Sequence, residues 1–223
     1  MRIDQQGIPV ASQRVADILA ERILDGTLVP GTRIKQDELA EELNTSRIPV
    51  RDALRMLETR GLVTLRANAG ARVASMTLKD IEVSYEIRER IEPMLLADSI
   101  PNLTEADFDE MRRVATEIED TSDVERFLQL YRRFHWTSYR GHRAPQLAQI
   151  VERLWDTTQP YRREYVKLAL SYGARVVAAE HRLLIEAVER YDAETATAVL
   201  VMHIRRTRVG LRQYSDIGAS KDN

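Results

Sequence analysis

The stretch Leu39–Val63, LAEELNTSRIPVRDALRMLETRGLV, decides the fold. Its apolar positions form two helical sets separated by Asn44-Thr45. Leu39, Ala40 and Leu43 make the stripe of a short helix over about Gln36–Leu43, with Asp37 and Glu38 in its first turn, where they suit the helix dipole. Asn44 tolerates left-handed backbone better than most residues, so the helix stops there. Ser46 reads as the N-cap of a second helix over Arg47–Arg60. Pro49 falls in its first turn, where an amide has no intrahelical partner to lose. Val50, Leu54 and Leu57 recur at i, i+4 and i+7 and face inward, and Gly61 ends the run.

Upstream, Ser12 can cap a helix whose stripe is Val15, Ile18, Leu19 and Ile23. Gly26 is its stop, and Pro30-Gly31 makes a turn. Downstream, Leu62–Arg66 and Ala71–Ala74 read as two short strands about an Asn68-Ala69-Gly70 turn. Helix, helix–turn–helix and hairpin together predict a winged helix-turn-helix over residues 1–76. Between residues 46 and 66 lie Arg47, Arg51, Arg55, Arg60 and Arg66 against only Asp52 and Glu58. Arg47, Arg51 and Arg55 repeat every four residues, away from Val50 and Leu57. An Arg-rich solvated face is the plain alternative. Turn, hairpin and basic stripe together favour double-stranded DNA.

Composition narrows the class. The chain has 223 residues, 43% apolar and 30% charged, as an ordinary globular protein does. A net charge of -2 excludes a uniformly basic nucleic-acid coat. The absence of Cys excludes disulfides, thiolate metal sites and cysteine nucleophiles, and fits a reducing compartment. No run approaches the roughly 18 apolar residues of a membrane span. The first residues show no apolar signal core, so a cytoplasmic protein is expected.

Beyond residue 76 the pattern changes to long amphipathic segments: Leu78–Ser99, Thr104–Thr121, Val124–Gly141, Gln146–Tyr172, Val176–Tyr191 and Ala193–Tyr214. Thr77, Thr104, Asp123 and Asp192 are caps or first-turn residues, and short joints favour antiparallel neighbours. The expectation is an all-α antiparallel bundle of about six helices over 77–215, with a tail at 216–223. The whole chain would be mostly α. His142 sits in a turn, whereas His135, His181 and His203 fall on three different helices beside apolar stripes. Three imidazoles from facing helices can hold a borderline divalent metal. They can equally be ordinary hydrogen-bonded histidines, or bind an anion without metal.

The segment quoted at the outset, followed by GARV at Gly70–Val73, resembles the DNA-binding domain of the GntR family of bacterial transcriptional regulators. It departs from the usual pattern with Asn44-Thr45 in place of Gly-Val. The segments YEIRERIEP, RRFHWTSYRGH, AAEHRLLIEAVERYDAETA and VMHI resemble the FCD ligand-binding domain of the FadR subfamily. The first resemblance implies that Ser46 contacts phosphate, that Arg47 and Arg51 take part in operator recognition, and that the wing about Gly70 reaches the minor groove. Lys35 and Arg55 join this set as cations beside it. The second implies His135, His181 and His203 as ligands of a divalent metal, zinc or nickel given imidazole donors and no thiolate. The family's Asp ligand is replaced by Tyr131, which can still hydrogen-bond an effector. Arg88 holds the arginine of the family's Y-x-x-R segment and suits a small carboxylate effector, with an intrahelical pair to Glu92 as the alternative. Arg162, Arg163 and Tyr165 are further candidates to line the same cavity, although the sequence does not fix their facing.

These residues predict a ligand-responsive DNA-binding regulator, a homodimer on a near-palindromic operator, with no membrane partner. Two other readings remain compatible: a metal-free helical module that only dimerises the DNA-binding head, and a metal-dependent helical-bundle enzyme. Against the enzyme, the sequence has no Glu-x-x-His pair, no Gly-x-Ser-x-Gly, no P-loop and no His-Glu-x-x-His.

Overall fold

A computed structural model describes residues 10–66 and 70–219, and the side chains of these except 168–175 and 214–219. Two units result. The first comprises the chain up to Thr77 together with Trp155–Pro160; the second comprises Leu78–Leu154 and the chain from Tyr161.

The first unit has helices α1 (Val10–Leu24), α2 (Gln36–Glu42) and α3 (Arg47–Thr59), with strands β1 (Arg33–Ile34), β2 (Val63–Arg66) and β3 (Gly70–Val73). The backbone is already helical at Val10, so Ser12 does not cap α1; it is buried within it. Asn44 adopts φ 48° and ends α2 as its side chain allows. Ser46 holds the extended N-cap backbone of α3, yet its hydroxyl makes no capping bond. Val50, Ala53, Leu54 and Leu57 are fully buried against Val15, Leu19 and Ile23 of α1. Each Val, Leu or Ile side chain among them contributes about 1.5–3 kcal/mol of burial.

The sheet has a third strand that periodicity did not reveal. Its order is β1-β3-β2, all antiparallel, with Arg33 opposite Arg72 and Ile34 opposite Ala71. Two residues are too short for alternation to show. The hairpin registers Val63 with Val73 and Arg66 with Gly70. The Asn68-Ala69 part of the expected turn lies outside the described residues.

The second unit is built of α4 (Leu78–Ser99), α5 (Glu105–Asp120), α6 (Val124–Ser138), α7 (Pro145–Glu189) and α8 (Ala193–Ala219), with a 3-10 turn at Ile100–Asn102. Thr104 caps α5 in a reciprocal box with Asp107, and Asp123 caps α6 by accepting from the Arg126 amide. Asp192 accepts from the Thr195 amide at 3.0 Å and caps α8. Three expected boundaries move. The helices expected at Gln146–Tyr172 and Val176–Tyr191 are one 45-residue helix, α7, that passes through Gly173. A helical Gly costs about 1 kcal/mol, too little to break so long an element. α6 stops at Ser138 with Tyr139 as its C-cap, and α8 continues past Tyr214 to Ala219, into the stretch read as tail. Among the described residues no helix is long and apolar enough to cross a membrane.

Candidate functional site

In the first unit, α3 turns one face to its core and the other to solvent. Ser46, Arg47, Arg51 and Arg55 are exposed, as are Lys35 before α2 and Gly70 on the wing. Arg47 is held by Asp37 of α2 at 2.5 Å, and Lys35 by Glu38 at 2.6 Å. Arg55 meets Asp52 only at 4.0 Å, and Arg51 has no ion-pair partner among the described residues. These exposed pairs are worth at most about 1 kcal/mol, so a nucleic-acid phosphate or base can displace them.

In the second unit, three helices deliver one imidazole each. His135 comes from α6, His181 from α7 and His203 from α8; all three are buried, and one ligand atom from each lies within 4.8 Å of the others. Nitrogens about 2.0–2.1 Å from a tetrahedral zinc stand roughly 3.3–3.4 Å apart, so the set would have to tighten to hold one. Both ring nitrogens of His181 are buried without a hydrogen-bond partner, a costly arrangement unless a further group completes them. His203 is oriented from behind. Its Nδ1 donates to Glu180 at 2.6 Å, and Glu180 is gripped by Arg206 through Nε and Nη2, both at 2.6 Å. A carboxylate behind a ligating imidazole sets its tautomer and raises its basicity.

All three imidazoles are neutral. Burial pushes His135 and His181 well below the usual histidine range, helped by the neighbouring imidazole of His203. Burial also lowers His203, against the opposing pull of Glu180. Neutral imidazoles are poor anion hosts and good metal ligands. The donor set therefore fits a divalent metal better than a directly bound anion.

Tyr131, one turn before His135, stacks on the His203 ring with centroids 5.5 Å apart, and its hydroxyl lies 2.5 Å from His203 Nε2. Burial pushes this phenol up to about 12. It is protonated and donates to Nε2, so both nitrogens of His203 are engaged. Arg88 pairs with Glu92, both fully buried, and lies 4.6 Å from the Tyr85 ring centroid. The intrahelical alternative for Arg88 is thus realised, but in the interior, with Tyr139 donating to Glu92 at 2.8 Å. Arg162 is also buried; its Nε donates to Tyr85 Oη at 3.3 Å, and its guanidinium carbon lies 5.8 Å from the Tyr131 ring centroid. Burial would raise the Tyr85 phenol, yet Arg162 and Arg88 outweigh it and hold it below its ordinary value. Two buried guanidiniums, that of Arg88 paired with Glu92 and that of Arg162, thus lie beside the Tyr85 and Tyr131 rings. Arg163 is committed to Glu125 at 2.6 Å, and His142 is not part of the cluster.

Residues 11–73 match the model of bacterial regulatory proteins of the gntR family, and residues 82–206 match the FCD domain. The chain belongs to the gntR family. Among curated relatives, it is 31% identical over 87% of its length to the "Probable D-xylose utilization operon transcriptional repressor" of Paenarthrobacter nicotinovorans, covering 85% of that protein. It is 27% identical to the HTH-type transcriptional regulator YdhC of Bacillus subtilis, over 90% of both chains. The solved structure of McbR/YncC from E. coli superposes with a TM-score of 0.82 at 23% identity, over 93% of this chain and all of that one; this likeness shows the fold. As a gntR-family member with an FCD domain, the protein is a DNA-binding transcriptional regulator, and its relatives are regulators rather than enzymes.

Residue-type reasoning missed Glu180, Arg206 and Tyr139. Glu180 adjoins His181 in sequence, but adjacent helical residues point about 100° apart. Only the pairing of α7 with α8 brings its carboxylate to His203.

Proposed function

We propose that this gntR-family regulator senses a small carboxylate in the α4–α8 unit and changes its operator affinity in response. The observation that carries the reading is the convergence of three buried neutral imidazoles beside the buried guanidiniums of Arg88 and Arg162. His135, His181 and His203 would hold a divalent metal, zinc or nickel. When bound, that ion supplies a Lewis-acidic anchor for an anionic oxygen. Arg88 and Arg162 supply positive potential for the carboxylate, and Tyr131 and Tyr85 supply phenolic hydroxyls within the same wall. Glu180, fixed by Arg206, keeps His203 in one tautomer.

On the DNA side, Arg47, Arg51 and Arg55 present cations along the exposed face of α3, the helix that enters the major groove in this motif. Ser46, its hydroxyl unused by the helix, suits a phosphate at the N-terminus. Lys35 and the wing at Gly70 flank it. Two copies would place α3 in successive half-sites about 34–36 Å apart on a near-palindromic duplex, so the working form is a homodimer. Such a regulator acts in the cytoplasm, where the DNA is.

The test is metal content. Protein dialysed against zinc or nickel and then against buffer should retain about one ion per chain by elemental analysis. Replacing His135, His181 or His203 by Ala should each abolish retention, whereas His142→Ala should not. Wild-type protein that retains no metal, or an equal loss in His142→Ala, would overturn the metal reading and favour a metal-free dimerisation module.

A further inference from the structure

The exposed face of α3 carries one residue that its arginines do not explain. Ile48 is 65% exposed, more than any other large apolar side chain described as exposed. Scattered surface apolars need no explanation, but this one has a particular place. At 100° per residue Ile48 stands about 170° from the mean direction of the buried Val50, Ala53, Leu54 and Leu57. It points straight away from the core that seats the helix.

It lies in the first turn, the end of a recognition helix that approaches base edges. The cations run along one side of it: at 100° per residue Arg47, Arg51 and Arg55 stand about 100°, 60° and 20° away in the same sense. A sec-butyl group at the edge of a cationic face contributes nothing to phosphate binding and costs solvation in the unbound protein. The major groove offers one apolar feature that rewards it. The 5-methyl group of thymine is the only hydrocarbon among the base edges there.

We propose that Ile48 is a specificity-determining residue that packs on the 5-methyl group of a thymine in each operator half-site. The inference rests on the reading that α3 enters the major groove. It concerns which base the helix prefers, and not whether the protein binds DNA. Branching at Cβ favours the role, because Ile has one strongly preferred χ1 rotamer in a helix and loses little freedom on contact.

The test begins with the full chain and a random duplex pool, from which bound sequences are selected and aligned. Each thymine of the enriched half-site is then replaced singly by deoxyuridine, which removes the methyl and leaves every hydrogen-bonding group. At one position the replacement should weaken wild-type binding about fourfold, the value of one buried methyl-sized group. Ile48→Ala should bind thymine and uracil duplexes equally, and Ile48→Val should keep most of the discrimination. Both variants change an exposed position, so thermal unfolding should match wild type. Half-sites without an enriched thymine, neutral uracil replacements throughout, or an Ile48→Ala protein that still discriminates would each overturn the proposal. A pool that enriches no sequence would instead overturn the major-groove reading on which it rests.

Discussion

At the scale of single residues, Tyr131 is where this chain departs from the ligand set its resemblance implied. A carboxylate there would be an anionic donor; the phenol is neutral, buried and hydrogen-bonded to His203 Nε2. That nitrogen becomes a ligand atom only when the hydroxyl gives up its hydrogen bond. On the proposed metal reading, Tyr131 would therefore compete with the ion for this nitrogen. Tyr131→Phe should tighten zinc binding about fivefold, the equivalent of roughly 1 kcal/mol for one net hydrogen bond. Tyr131→Asp should tighten it further, since it adds an anionic oxygen. Calorimetric zinc titrations of the three proteins decide the matter. Weaker binding by Tyr131→Phe would make the phenol oxygen a ligand, and Tyr131→Asp binding no better than wild type would remove position 131 from the metal's neighbourhood.

At the scale of elements, α6, α7 and α8 are packed around groups that must stay uncharged. Burial holds His135 and His181 well below the ordinary value near 6.5, and lowers His203 as well. The unfolded chain regains the ordinary value and takes up protons that the folded chain refuses. Stability is thus fully present above about pH 6.5 and falls as pH drops below it, by up to about 1.4 kcal/mol per pH unit for each such histidine. Metal-free protein melted at pH 7.5 and at pH 5.5 should show a lower Tm at the acidic value, with a smaller decrease in His181→Phe. A Tm that is flat or rises on acidification would contradict the burial argument. Helix periodicity made most of this packing legible in advance: α2 and α3 came from spacing, Asn44 from its conformational tolerance, and the α5 and α6 caps from Thr104 and Asp123. Two things were hidden. β1 is too short to alternate, and Gly173 looks like a terminator although the helix outlasts it. The three histidines could be nominated by position and resemblance, but the Glu180–Arg206 clamp and the Arg88–Glu92–Tyr139 network depend on which helix faces which. That is a property of tertiary packing rather than of local pattern.

At the scale of the whole molecule, two adjacent activities become a mechanism only if they share free energy. The proposed effector site would draw Arg88 from α4, and α4 begins at Leu78, separated from the end of β3 at Val73 by four residues. A carboxylate drawn to Arg88 and to the imidazole cluster would tie α4 to α6, α7 and α8, and on this proposal a change in α4 would be passed along the chain through that short connection. Changing operator affinity five- to 150-fold requires about 1–3 kcal/mol of differential binding, which one charge-assisted hydrogen bond can supply. Linkage then makes a demand that no static arrangement can evade: operator DNA must change effector affinity by the same factor in the same direction. Metal-loaded protein should be screened with small mono-, di- and tricarboxylates by calorimetry, and the best binder titrated again in the presence of saturating operator. Unequal affinities, matched by the effector's effect on operator binding, are the expected result. Equal affinities would leave a protein that binds both molecules without communication, and the effector domain would then need another account, while the DNA-binding head would stand as described.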